Sequence, residues 1–283
     1  MDASTLTESS VSHVGARHEM RRRRIRALER RGKITGVDTL LITGGSRGIG
    51  RATALLAAQR GWPVAINYHT DAAAAAATAA AVGQRGARVM TVRGDVSVEA
   101  DVISMFDHAR RELGPLGGVV INAGIVAPSM HLADMSADRL RTMFQVNVFG
   151  AYLCAREAAR TLSRGRGGNG GSVVIVSSMA ARLGSPGEYV DYAGSKAALD
   201  TLVIGLAKEL GPQGVRVNGV RPGLIETGIH AVSGDPDRAR RLGAAAPLGR
   251  AGLPEEVAEA IVWLLSDAAS YVTGSMLDVS GGR

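Results

Sequence analysis

A single cysteine, Cys154, stands among 283 residues, so no internal disulfide framework can form. A reducing cytoplasm is therefore the expected compartment. Cys154 sits in A-Y-L-C-A-R, where a small buried apolar residue is expected. No apolar run reaches the roughly 18 residues of a membrane span, so no membrane partner is expected. No apolar stretch follows the N-terminal arginines as a secretory signal would require. The six histidines show no paired ligand spacing. Without a cysteine cluster either, no metal is expected. No long internal repeat and no linker-like break after Gly36 interrupt the chain.

What the chain does have is apolar content and an uneven charge. Hydrophobic residues make up 46%, which marks a globular protein. The net charge is +7, yet residues 1–36 hold nine Lys or Arg against four Asp or Glu, leaving only +2 for the rest. That N-terminal segment contains R-R-R-R-I-R-A-L-E-R-R from Arg21 to Arg31. Such a run can meet nucleic acid or an anionic surface. The near-neutral remainder lends that no help, so nucleic acid is not an expected partner. We expect residues 1–36 to be a basic, disordered extension and 37–283 to form one domain.

From Thr39 onward short β-branched runs alternate with helical stretches. The runs are Thr39–Thr43, Pro63–Asn67, Arg88–Val92, Val119–Asn122, Ser172–Ser177, Val215–Val220 and Ser275–Val279. Helical stretches between them include Arg51–Arg60, Val98–Leu113 and Arg139–Leu162, and an alanine-rich helix from Asp71, a plausible N-cap, to Val82. This alternation predicts an α/β fold, a doubly wound parallel sheet of about seven strands with helices on both faces. The Gly-, Pro- and Arg-containing stretch Ser233–Gly252 is expected to form a mobile flap over the site.

Two motifs carry chemistry. The first run leads into Gly44-Gly45-Ser46-Arg47-Gly48-Ile49-Gly50, followed by a helix. Glycines let backbone approach a phosphate, and a helix N-terminus offers it free amides and a favourable dipole. The second is Y-A-G-S-K, with Tyr192 and Lys196 four residues apart on one helix face. An ammonium beside a phenol favours the phenolate, so Lys196 is expected to lower the Tyr192 pKa. Ser178 ends the apolar run 14 residues earlier.

With these motifs the chain resembles a short-chain dehydrogenase/reductase of the Rossmann type, similar to bacterial 3-oxoacyl-carrier-protein reductases and glucose 1-dehydrogenase-like members. The resemblance spans about Thr39 to Gly282. It rests also on G-D-V at Gly94, N-A-G at Asn122, Asn147 in Q-V-N-V-F-G, V-S-S at Val176 and R-P-G-L-I-E-T at Arg221. It implies a nicotinamide cofactor, a small-molecule carbonyl or alcohol substrate, and often a homotetramer. Residue by residue, it implies that Tyr192 exchanges the proton and that Lys196 tunes it and bonds the ribose. Ser178 would hold the substrate oxygen, and Asn147 would hold a water next to Lys196. Ser177 and Ser178 cannot both face the site, because side chains alternate; Ser178 is chosen because its spacing is nearer the family's.

For the cofactor the resemblance implies Gly44, Ser46, Arg47, Gly48, Ile49 and Gly50 at the pyrophosphate. Asp95 and Val96 would meet the adenine, Asn122, Ala123 and Gly124 the ribose, and Pro222, Gly223, Ile225 and Thr227 the carboxamide. An acid at the end of the second strand would bind the ribose of NAD. Here Asn67 is expected at that place, beside Tyr68 and His69, and Arg47 could meet a 2′-phosphate. NADP(H) is thus favoured, NAD(H) possible. The alternative is a catalytically silent NADP(H)-binding sensor. Tyr189 either lines the substrate pocket or simply packs, and Ser129–Leu132 and Arg182–Tyr189 are expected to set specificity.

Overall fold

The β-branched runs pair into one seven-stranded sheet, all parallel, in the computed structural model, which describes residues 38–229 and 237–283. The strands are β1 (Thr39–Ile42), β2 (Val64–Tyr68), β3 (Val89–Arg93), β4 (Leu116–Ile121), β5 (Gly171–Val176), β6 (Val215–Pro222) and β7 (Met276–Val279). Their order is β3-β2-β1-β4-β5-β6-β7. The order reverses between β1 and β4, and ligands of open α/β sheets bind at the strand carboxyl ends beside such a reversal. The basic segment 1–36 lies outside the described residues.

Strand side chains alternate between two cores. Leu41, Ala65, Val119, Ile121, Val173 and Ile175 point to one face. There they meet α3 (Glu99–Leu113), α5 (Ala151–Leu162) and α7 (Val190–Leu210) through residues such as Phe106, Leu162 and Leu199. Leu40, Ile42, Ile66, Val120 and Val174 point to the other. They pack on α1 (Gly48–Gln59), α2 (Ala72–Gly83) and α9 (Pro254–Leu265) through Ala54, Val82 and Ile261. Each fully buried aliphatic side chain contributes roughly 1.5–3 kcal/mol. Cys154 is fully buried in the first core, and burial, then Glu157, pushes its thiol up to about 12, far from a reactive thiolate.

The expected helix Arg139–Leu162 is not continuous. Ser136 caps α4 (Ala137–Phe144) by accepting the Arg139 amide at 3.2 Å. A widened π-helical turn, Gln145–Gly150, then leads into α5. Gly150 packs there so closely on Val96 that a Cβ would sit 3.0 Å from its carbonyl oxygen. Such turns recur at functional sites, and Asn147 is in this one. Asp71 caps α2 as expected, accepting from Ala74 at 2.9 Å. The expected mobile flap is partly a structured segment: α8 (Arg238–Gly243) lies in it, and Gly252 bonds the backbone of Leu224 and Glu226 at 2.9 Å each. Residues 230–236 fall outside the described residues. The four-residue helix α6 (Ala180–Leu183) follows β5.

Candidate active site

One cleft of about 520 Å³ opens along the carboxyl ends of the strands. Its first wall is the glycine loop. Gly44 and Gly48 adopt left-handed backbone, with φ of 61° and 53°. A Cβ on Gly50 would strike the Gly44 carbonyl and the Asn122 side chain. Thr43 ties this loop to the end of β4: its Oγ1 accepts from the amides of Asn122 at 2.9 Å and Ala123 at 3.0 Å. Asn122 returns the bond through Nδ2 to the carbonyls of Thr43 and Gly44. Helix α1 begins at the cleft with no side-chain cap and no acid in its first turn. Its free amides and positive dipole end are thus left to an anion. Arg47, at its N-cap, is exposed and has no side-chain partner among the described residues.

The end of β2 departs from expectation. Asn67 is only 2% exposed. Its Oδ1 accepts from the Gly44 amide at 3.2 Å, and its Nδ2 donates to the carbonyls of Gly94 at 3.0 Å and Val92 at 3.4 Å. The side chain is a brace between the glycine loop and β3, so it is not a free partner for a ribose. Tyr68, half-buried, and His69, exposed, carry the rim of the cleft here. Asp95 accepts from the Ser97 amide at 2.8 Å and hydroxyl at 2.7 Å through one oxygen. The other oxygen faces His69 at 3.6 Å. Burial raises the Asp95 pKa, but the Ser97 bonds and His69 outweigh it and hold the carboxyl below its usual value.

The opposite wall brings together Ser178, Tyr192 and Lys196. Ser178 hydrogen-bonds Tyr192. Ser177 turns away, donating to the Lys196 carbonyl at 3.0 Å. Strand alternation thus separates the two serines in the way the spacing suggested. Lys196 Nζ donates to the Val176 carbonyl at 2.9 Å and lies 5.8 Å from the centre of the Tyr192 ring. Burial lowers its pKa to about 8, against the pull of Asp200 one turn on. The expected lowering of the Tyr192 pKa does not hold: burial raises it, and the Ser178 bond offsets this only in part. A Cβ on Gly124 would stand 3.2 Å from both Lys196 Nζ and Asn147 Oδ1, so the wall is closely packed there.

Asn147 stands fully buried behind this wall. Its Oδ1 accepts from the Ile125 amide at 2.8 Å; its Nδ2 donates to the Ile125 carbonyl and to Ser195 Oγ, both at 3.0 Å. The side-chain amide is engaged by protein and braces the loop after β4. Gly50 likewise supports the cleft from behind, whereas the other expected cofactor residues line it. Pro222, Gly223, Ile225 and Thr227 reach across from β6, with Thr227 beside Gly48.

The other end of the cleft is lined by Leu183, Ser185, Tyr189 and Arg238. Tyr189 is both packed and lining: it is 6% exposed, with the Arg238 guanidinium 5.1 Å from its ring centre. Arg238 also donates to Glu188 at 2.9 Å, and this pairing holds the Glu188 carboxyl below its usual value.

Sequence reasoning missed three further groups. Thr43 was legible as the end of a strand and the start of the glycine motif, not as the tie to Asn122 and Ala123. Arg221 donates to Asp200 at 2.8 Å and to Asp278 at 2.9 Å, tying β6 to α7 and β7. Arg139 pairs with Asp191, the neighbour of Tyr192, at 2.8 Å. Because Asp200 opposes the lowering of the Lys196 pKa, Asp200→Asn is expected to lower it further. The ammonium is then lost at lower pH, and the alkaline limb of the pH–rate profile moves to the acid side. An unmoved limb would show that Asp200 does not act on Lys196.

The comparisons with known proteins agree with this architecture. The model of a family described as enoyl-(acyl carrier protein) reductase matches residues 44–283. The uncharacterized oxidoreductase YgfF of Escherichia coli strain K12 is 50% identical over 243 residues, covering 86% of this chain and 98% of that protein. An L-rhamnose 1-dehydrogenase (NAD(P)(+)) of Sphingomonas sp. strain SKA58 is 41% identical, covering 88% and 97%. The crystal structure of levodione reductase superposes with a TM-score of 0.80 at 30% identity, covering 87% of this chain and 96% of that one.

Fold and site define an oxidoreductase that acts on an alcohol or carbonyl substrate with a nicotinamide cofactor. The chain belongs to the short-chain dehydrogenase/reductase family.

Proposed function

We propose that the protein is a reductase of carbonyl substrates that prefers NADPH and uses Tyr192 as its general acid. The observation that carries this reading is the meeting of Ser178, Tyr192 and Lys196 on one wall, opposite the glycine loop and the uncapped start of α1. When bound, the cofactor supplies or accepts the hydride. The amides of the glycine loop and α1 hold its pyrophosphate. The Asp95 oxygen that faces His69 would accept from the adenine, and Pro222 to Thr227 would hold the carboxamide.

Ser178 and Tyr192 together hold the substrate oxygen, two donors aimed at the charge that develops there. Burial keeps the phenol protonated at neutral pH, the state a proton donor needs. Alcohol oxidation requires the same group to lose its proton, so oxidation should rise with pH while reduction falls. Lys196 holds a positive charge behind the phenol. Asn147 fixes the loop carrying Ile125. A panel of ketones, diketones, sugars and acyl thioesters with NADPH, followed by nicotinamide absorbance, tests the reading; no turnover of any member by a protein that binds NADPH would overturn it.

Cofactor preference rests on Arg47, whose guanidinium at the phosphate loop has no side-chain partner among the described residues, and on Asn67, Tyr68 and His69 standing at the strand end where an acid would select NAD. A charge-assisted hydrogen bond of about 1.5–3 kcal/mol corresponds to roughly ten- to hundredfold in affinity. Arg47→Ala is therefore expected to weaken NADPH binding by that factor and leave NADH binding nearly unchanged. Equal losses for both cofactors in fluorescence titrations would remove Arg47 from the 2′-phosphate.

A homotetramer in the cytoplasm is the assembly we propose. Phe144, Phe149, Tyr152, Ile204, Trp263, Tyr271 and Leu277 are exposed apolar side chains available for burial between copies. No helix among the described residues is long and apolar enough to cross a membrane. Light scattering that returns a monomeric mass would sink the assembly.

A further inference from the structure

We propose that Arg139 is a positioning residue that sets Tyr192 against the substrate oxygen by clamping the first turn of α7. The proposal rests on the reading of Tyr192 as the proton donor.

Three segments that share no local sequence meet at this guanidinium. Its Nε donates to Asp191 Oδ2 at 2.8 Å and one terminal nitrogen to Asp191 Oδ1 at 3.3 Å. The other terminal nitrogen donates to the Pro128 carbonyl at 2.6 Å. The Arg139 side chain is 11% exposed and that of Asp191 not at all. Asp191 precedes Tyr192 directly, in the first turn of a helix whose N-cap residue, Tyr189, makes no side-chain cap. Pro128 lies in the loop after β4, which Asn147 grips further back at Ile125. The same loop reaches the segment before α7 once more, through the Met130 amide and the Glu188 carbonyl at 3.0 Å.

The forked pair does what a single charge cannot. A planar guanidinium fixes both the distance and the rotation of the carboxylate, and its third arm sets the height of the loop. Tyr192 is thereby fixed in two directions: its helix start relative to α4, and its ring relative to the loop that closes the cleft. α4 runs directly into the turn bearing Asn147, so the clamp also ties the Tyr192 helix to the Asn147 brace. Lysine, a point charge with free rotation, can hold Asp191 or Pro128 but not the whole fork. Proton transfer depends steeply on such placement, and an error of about 1 Å can cost roughly a hundredfold.

The test uses the full chain with four variants: Arg139→Lys, Arg139→Ala, the double change Arg139→Met with Asp191→Leu, and Tyr192→Phe as reference. Turnover is counted per site that binds NADPH, so unfolded protein does not enter. The expected result for all three clamp variants is a fall in kcat of about ten- to hundredfold, with NADPH affinity within about twofold of wild type. The Arg139→Ala deficit should be relieved by free guanidinium far below denaturing concentration, and not by urea or sodium. The double change keeps the site apolar and avoids a buried lone charge, so its loss reports positioning rather than folding. Wild-type kcat per binding site in Arg139→Lys or in the double variant would overturn the proposal, as would a loss confined to melting temperature. If Tyr192→Phe itself keeps wild-type turnover, the proton-donor reading fails instead, and the two failures are told apart.

Discussion

Tyr192→Phe is expected to lose at least roughly 10²- to 10⁴-fold in turnover, the usual worth of one positioned proton-transfer group. The change removes a hydroxyl and keeps the ring, so packing in the wall is preserved and cofactor affinity should barely move. Ser178 loses its partner but keeps its bond to the Ala180 amide, at 3.1 Å, and stays in place. The pH profile carries a second reading of the same variant. Burial raises the phenol pKa, so wild-type oxidation should climb on the alkaline side as the proton leaves. The residual activity of the phenylalanine variant should lack that rise. Lys196→Met should hurt both turnover and cofactor binding, because the same ammonium stands beside the phenol and, in the proposed reading, would bond the ribose. Turnover within about threefold of wild type in Tyr192→Phe would sink the assignment.

How much of this was readable beforehand divides along the range of the interactions. The strands were legible because runs such as T-L-L-I and S-V-V-I-V are β-branched and apolar, and strands buried on both faces need both properties. The start of β4 was not: Leu116 is followed by two glycines, poor strand formers by composition. They are there because Asp38 and Leu40 occupy the space their side chains would fill. The break in Arg139–Leu162 was illegible for a similar reason. No proline marks the place, and the contacts that widen the turn, Gly150 on Val96 and Asn147 on Ile125, join segments far apart in sequence. Asp191 is next to a tyrosine already singled out, yet nothing local distinguishes Arg139 from Arg141, which pairs on the surface with Asp138. Strand alternation told which of two serines would face the site only with the spacing to Tyr192 beside it. At the end of β2 no second marker existed: Asn67 lines the cleft, but its bonds to Gly44, Val92 and Gly94 join segments far apart in sequence.

Those bonds change an expected outcome. Were the Asn67 side chain free for the ribose, Asn67→Asp would exchange NADPH for NADH preference. Buried as a brace, it should instead weaken both cofactors together and lower the melting temperature. The amide Nδ2 donates to carbonyl oxygens at 3.0 and 3.4 Å, and aspartate replaces that donor with a charged acceptor. Losing a buried donor costs about 1–3 kcal/mol, more for a charged group, and a chain of this size loses roughly 2–4 °C per kcal/mol. A fall of several degrees is therefore expected at neutral pH. The sign with pH is fixed as well. The carboxyl facing two carbonyls has its folded pKa raised above the ordinary value of about 3.9. Below that value the acid is protonated in both states and can donate. As pH rises through the folded pKa, the folded state must surrender a proton it binds more tightly, and stability is lost. The melting gap to wild type should hence narrow as pH falls toward 4 and widen toward 7. A loop displaced from Gly44 leaves the phosphate amides misaligned, which is why NADPH and NADH should suffer alike. Wild-type melting with a clean reversal to NADH would return Asn67 to the ribose and take the brace away.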